Sequence, residues 1–238
     1  DGRGDFSAGK VVVVSATPAV APKGSSKAAR QAPQPSEAPP EQLRTLDSTT
    51  MFDSVGFLWA FVTAALGFKP FRHEGKLTGL AARGDAKKTL PIFDSVMGLA
   101  QDEGADIQWQ IRTKWHAEEL SNFQLFLVGL EGSHQEQVII QDFKLFKDLA
   151  SHSKEDVAAG LQHFTERLMI DYMERNGFSR PLVCLSGGVF ANVRLNMRFR
   201  TELSNVDHVF VYPSMGDGGL CAGAAALATR EFGQARLT

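Results

Sequence analysis

Residues 181–228 constrain the fold most, because they state one local pattern twice. An apolar strand at residues 182–185 runs into Ser186-Gly187-Gly188, and a helix follows over residues 192–203. A second strand at residues 208–212 runs into Gly216-Asp217-Gly218-Gly219 and then into an Ala-rich helix. Strand, turn and helix in alternation predict an α/β architecture, a mixed or parallel sheet covered by helices. Glycine at a strand-to-helix turn lets a ligand approach the backbone, and the helix start offers free N–H groups.

Each turn carries its own chemistry. Gly187 and Gly188 admit a flat ligand, and Asn192 at the next helix start can cap that helix or read a base or ribose with its amide. In the second turn, Gly216, Gly218 and Gly219 expose N–H groups to an anion at the positive end of a helix dipole. Asp217 among them has two readings, an N-cap or a carboxylate holding a divalent cation against phosphate oxygens. Both stay open on residue type alone.

Upstream, the clearest helix covers residues 154–176. Ser153 with Asp156 makes a variant capping box, Val157, Leu161, Phe164, Leu168 and Tyr172 form an apolar stripe, and Asn176-Gly177 ends it. A second helix is expected from Asp53 or Ser54 to Leu66, with Phe57, Leu58, Phe61, Val62 and Ala65 on its apolar face and Gly67 as its stop. Residues 70–81 read as an irregular stretch, dense in charge yet broken by glycine. Within it Lys76 either pairs with Glu74 on the surface or points into a cleft. Residues 87–141 hold short apolar groups at 92–99, 107–111, 123–130 and 138–140, read as strands or short helices. Trp109 and Trp115 read as packing residues. His116 and His134 have no partner at metal-ligand spacing, and His152 and His163, at the start and on the flank of the long helix, read as non-catalytic.

At the N-terminus, Asp1-Gly2-Arg3-Gly4-Asp5 precedes an apolar strand at residues 10–14 and suits a tight turn, either a plain one or one facing phosphate. Residues 17–46, with Pro33, Pro35, Pro39 and Pro40, read as a disordered surface insertion, and structure is expected to resume at Asp47. The formal net charge of -2 gives no electrostatic reason to expect nucleic acid. No apolar run approaches a bilayer span and no leader pattern is visible, so a cytoplasmic protein without membrane contact is expected. Cys184 and Cys221, on a strand and a helix, read as buried free thiols.

Taken in order, residues 1–5, residues 68–82, LSGGVFANVRLN and PSMGDGGLCAGAAALA resemble the nodulation-type O-carbamoyltransferase family. Its members are similar to sugar kinases and to the tRNA threonylcarbamoyladenosine synthase subunit. The resemblance implies an actin-like ATPase (ribonuclease H-like) fold, incomplete on its N-terminal side, with a phosphate-side hairpin at residues 1–16, the insertion at 17–46 and the remaining carbamoyltransferase domain at 47–238. It implies ATP and a divalent metal, iron or magnesium, as cofactors. Carbamoyl phosphate would be the donor by way of carbamoyl-adenylate, and a hydroxylated small molecule the acceptor. It places Gly2, Gly4 and Asp5 on the phosphate side, Gly187, Gly188 and Asn192 on the adenosine side, Gly216 and Gly218 at the second turn, and Asp217 and Asp1 on the metal. Glu74, Gly75 and Lys76 would line the cleft, Lys76 as a catalytic residue. His73 is the nearest candidate for a general base. The family's His-x-x-x-His pair and its C-terminal, carbamoyl-adenylate-forming domain are not in this sequence, so residues 1–238 alone are expected to be inactive. A non-catalytic nucleotide-binding fragment and a sugar-kinase or tRNA-modification relative are the alternatives.

Overall fold

The computed structural model describes residues 7–15, 42–102, 107–116, 118–120, 143–176, 180–204 and 206–232. They form a mixed α/β, helix-rich fold with three small two-stranded sheets. β1 (Ser7–Ser15) pairs antiparallel with β2 (Gln42–Thr50), and β3 (Met97–Gln101) pairs antiparallel with β4 (Trp109–Thr113). Further along, β5 (Arg180–Leu185) pairs parallel with β6 (Val206–Val211). The alternation in the sequence leads one to expect a single mixed sheet; among the described residues it is divided into these three pairs. β2 begins at Gln42, so residues 42–46 belong to a strand and not to the Pro-rich insertion. Its backbone bonds go to β1 far away in sequence, which composition does not reveal. Residues 17–41 of that insertion lie outside the described residues, as do 123–130, 138–140 and His134.

The core forms around two helices. α1 (Val55–Ala65) is apolar almost all round and is buried to match, with Leu58, Ala60, Phe61 and Val62 each at most 1% exposed. Its start is set by Ser54, whose Oγ accepts the Phe57 N–H at 3.2 Å, and Gly67 at φ 77° follows its end. A long helix, Lys154–Arg175, shares this core and is joined to α1 by a hydrogen bond from Trp59 to Thr165. Its stripe of Val157, Leu161, Phe164, Leu168 and Tyr172 is buried as the periodicity predicts. Burying a side chain of the size of Phe164 contributes about 2 kcal/mol. Ser153 Oγ accepts the Asp156 N–H at 3.1 Å, the first half of the capping box. Asp156 does not reach back: its carboxylate accepts from the Asp85 N–H at 2.8 Å and from Lys88 at 2.7 Å. These bonds hold it well below the usual carboxylate range, at about 2.

Between these two helices in sequence come α2 (Glu74–Ala81), α3 (Leu90–Val96) and α4 (Lys144–Leu149), which makes the long helix α5. α2 corrects the expectation of an irregular stretch at residues 70–81. Leu77 and Ala81, four apart, bury one narrow face, while Gly75 and Gly79 fall on the exposed side and weaken the pattern without breaking the helix. Trp115 packs with Phe61 and Phe143, ring centroids 6.4 and 6.0 Å apart, and Arg175 lies 4.6 Å above Trp109. Tyr172 donates to Asp47 at 2.7 Å, and burial followed by that carboxylate raises its phenol pKa.

A smaller core, Ile170, Leu185, Leu195, Phe199, Leu203 and Val206, lies under β5, β6 and the helix between them, α6 (Val193–Glu202). The final helix, α7 (Leu220–Phe232), departs from expectation: every described side chain in it is exposed. Cys184 on β5 and Cys221 on α7 are exposed too, not buried thiols, because among the described residues nothing covers the outer face of β5 and β6 or of α7. Among the described residues no helix is long and apolar enough to cross a membrane.

Candidate functional site

Parallel pairing of β5 and β6 brings the carboxyl ends of both strands to one edge, and with them both glycine turns. They are bonded to each other: the Gly187 N–H donates to the Met215 carbonyl at 2.6 Å and the Ser186 hydroxyl to the same oxygen at 3.3 Å. Gly187 sits at φ 115°, where a side chain would strain the backbone. The chain then makes a 3-10 turn, Gly188–Ala191, before Asn192 caps α6 by accepting the Leu195 N–H at 3.2 Å. The second turn also enters its helix through a 3-10 turn, Asp217–Gly219. A Cβ on Gly219 would stand 2.2 Å from the Ser214 carbonyl oxygen, so only glycine closes that turn.

Opposite these turns stand the starts of α1 and α2, and a cleft of about 340 Å³ lies between. Glu74, Gly75, Gly188, Asn192, Gly216 and Asp217 line it, together with Phe57, Trp59, Phe71 and Thr78. Six residues singled out from three separate motifs therefore meet at one place. Space is open for 4 Å around the position a Cβ would take at Gly75 and at Gly216. Nothing inside the described chain calls for glycine at either position, whereas a ligand seated against the backbone would.

Other site candidates fall elsewhere. Gly187 and Gly218 belong to the turns without lining the cleft. Lys76 is exposed on α2, with its Nζ 5.5 Å from the centre of the Phe68 ring and not in the cleft. It makes no ion pair with Glu74, whose Oε1 accepts the Phe71 N–H. His73, just before α2, accepts the Lys69 N–H on Nδ1 at 3.1 Å and is likewise outside the lining. Asp1, Gly2, Gly4 and Asp5 lie outside the described residues.

Sequence reading missed the aromatic side of the cleft. Phe71 has φ 60°, rare for a residue with a large side chain, and Glu74 holds that conformation through the Phe71 N–H. Its ring is 57% exposed and meets Phe57 edge-on at 6.0 Å. Trp59 is fixed behind it by a 2.9 Å bond from its Nε1–H to Thr165. A positive φ at a phenylalanine leaves no signature in residue type, so no pattern was there to find.

The cleft's charge is one-sided. Glu74 and Asp217 are carboxylates, and the described lining contains no Lys, Arg or His. The N-cap position of the second turn is Gly216, and Asp217 is the turn's first residue. Among the described residues no group of three or more His, Cys, Asp and Glu side chains gathers to hold a metal ion. Two carboxylates are too few donors for such a site, so these residues do not by themselves fit the expected metal. Anions would have to be met by backbone N–H groups and by the N-terminal ends of α6 and α7, both of which open beside the cleft. A larger hollow of about 570 Å³ elsewhere, lined by Trp115, His116, Lys144 and Lys147 among others, contains none of the motif residues.

The chain belongs to the family described as Carbamoyltransferase N-terminus, whose sequence profile matches residues 32–226. Relatives match over much of its length. An uncharacterised protein of Methanocaldococcus jannaschii is 28% identical over 187 residues, 77% of this chain and 31% of that protein. An uncharacterised protein of Synechocystis is 27% identical, covering 72% of this chain and 26% of that protein. Nodulation protein U of Sinorhizobium fredii is 31% identical over 107 residues, 42% of this chain and 19% of its own length. The chain thus spans a third or less of each of these relatives.

Proposed function

We propose that the cleft between the two glycine turns and the starts of α1 and α2 is the nucleotide-facing part of an O-carbamoyltransferase site, in an actin-like ATPase fold. The reaction is transfer of a carbamoyl group, supplied by carbamoyl phosphate and activated with ATP as carbamoyl-adenylate, to a hydroxyl of a small-molecule acceptor. The observation that carries this reading is the convergence of Glu74, Gly75, Gly188, Asn192, Gly216 and Asp217 on one cleft, in a chain of the carbamoyltransferase family.

The chain's own groups act by position and electrostatics. Open backbone at Gly75 and Gly216 lets the nucleotide come close, and the exposed Phe71 offers aromatic surface to a flat ring. The N-terminal ends of α6 and α7 stabilise negative charge on phosphate and on the oxygen that becomes anionic when the acceptor hydroxyl adds to the carbamoyl carbon. Collapse of that adduct breaks the bond from the carbamoyl carbon to the phosphate oxygen and expels AMP, the hydroxyl's proton passes to water, and the O-carbamate remains. The cleft holds acceptor and carbamoyl-adenylate in line, which supplies much of the rate advantage. Iron or magnesium, expected from the family resemblance, finds only part of a donor set here, and no step rests on it.

Calorimetry with ATP and assay with carbamoyl-labelled carbamoyl phosphate test this reading. The full-length protein should bind ATP, and Gly216→Val, which puts a side chain into the open space beside the backbone, should weaken binding about tenfold. Failure of the unaltered protein to bind ATP would sink the reading. ATP binding with no labelled carbamate formed on any hydroxylated acceptor tried would favour a non-catalytic nucleotide-binding module.

A further inference from the structure

Behind the cleft wall Asn192 is tied to a buried polar cluster on α5 and α6, whose other members neither the motifs nor the family reading assigns. Gln162 on α5 is 3% exposed, Glu166 one turn on is 0%, and Asn192 is 8%. Gln162 Nε2 donates to Glu166 Oε1 at 2.6 Å and to Asn192 Oδ1 at 3.1 Å, while Asn192 Nδ2 donates back to Gln162 Oε1 at 2.8 Å. Glu166 also accepts from Arg194 at 2.8 Å and from Arg198 at 3.1 Å, both on α6. An ionised carboxylate only accepts, so it dictates which end of the Gln162 amide faces it. Gln162 in turn dictates which end of the Asn192 amide turns inward. That leaves Asn192 Oδ1 placed to cap α6 at Leu195.

We propose that Gln162 is a positioning residue for the ligand cleft, relaying the orientation imposed by Glu166 to Asn192 and so holding the Gly188–Ala191 turn in place. The amide of Asn192 is then turned into the protein, with its oxygen accepting two bonds and one N–H already given to Gln162. Its part in ligand binding is to fix the wall more than to read a base. Residues Gly188, Val189 and Ala191, which line the cleft, are carried by this cluster. The inference rests on the cleft being the nucleotide site only for its functional consequence; the positioning itself is readable without ligand.

The test is Gln162→Met, similar in volume but without hydrogen bonds, with Asn192→Ser as a second variant in case the first does not fold. Amide hydrogen exchange, ATP affinity and melting temperature are measured on the full-length protein. Exchange at Leu195 and residues 188–191 should speed up at least about tenfold, because the substitution removes both hydrogen bonds between Gln162 and Asn192, with backbone amides in the middle of α5 unchanged. ATP binding should weaken by a similar factor. In a cycle with Asn192→Ala the losses should be non-additive, the double variant being no worse than the poorer single one. Unchanged exchange at the turn, or acceleration spread evenly over α5 and α6, overturns the proposal whether or not ATP binds. Absence of ATP binding by the unaltered protein with local acceleration intact would instead count against the nucleotide reading alone.

Discussion

At the scale of single residues, buried carboxylates do much of the joining. Asp53 accepts from the Thr113 N–H and the Thr50 hydroxyl, each at 2.7 Å, and from Arg112 at 3.2 Å, tying β4 to the end of β2. Asp156 ties the start of α5 to residues 85–88. Its pKa falls from an ordinary 3.8 to about 2, chiefly through the Asp85 N–H and then through Lys88. A depressed folded-state value means that its stabilisation is complete above the unfolded value and is lost as pH falls through the folded one. Chemical denaturation at pH 5 and near pH 2 should therefore show a larger acid-induced loss for the unaltered protein than for Asp156→Asn. Equal losses would remove Asp156 from the acid response. The residue scale is also where sequence reading was blind: Lys76 was legible as a cation beside glycine, but which way it leaves the helix is set by Phe68, with Lys154 on the same ring 5.0 Å away.

At the scale of elements, two helix glycines predict opposite outcomes. Gly75 lies on the exposed side of α2 with open space around its Cβ position, so Gly75→Ala should raise stability by about 0.5–1 kcal/mol through helix propensity. The same methyl group should weaken ATP binding if the cleft holds nucleotide. Stability rising with affinity unchanged would separate Gly75 from the site. Gly160 on α5 is the reverse case. A Cβ there would stand 2.0 Å from Thr89 Oγ1, which donates to the Asp156 carbonyl at 2.8 Å. Gly160→Ala should lower stability by about 1–3 kcal/mol despite the better helix former, as crowding of a packed contact does. Thermal melts of the two variants give the signs. Helix ends were readable from residue type, as Ser54, Ser153 and Asn192 each cap where expected. α2 was not, since two glycines in eight residues hide a helix that its contact with α5 sustains.

At the scale of the whole molecule, the described residues cover the parallel pair β5–β6 on one face only. Parallel strands are ordinarily buried on both faces, yet Leu182 is 54% and Phe210 50% exposed. α7 leaves Leu220 at 73% and Leu227 at 64%. For residues 1–238 as a protein, both Cys184 and Cys221 should react with a thiol reagent under native conditions, at rates near those of the unfolded chain. Protection of either thiol before unfolding would show that its element packs against something in solution.

Sequence by itself determined where the strand, turn and helix of residues 181–228 fall, the apolar stripe of α5 and the glycine motifs, because these depend on local propensity and on periods of 2 and 3.6. Only the tertiary structure decided that residues 42–46 form a strand, that Glu74 and Gly75 stand across a cleft from Asp217, and that Gln162 and Glu166 reach Asn192. Those outcomes depend on contacts between segments tens of residues apart, where packing and the pairing of buried polar groups, not residue type, set the geometry.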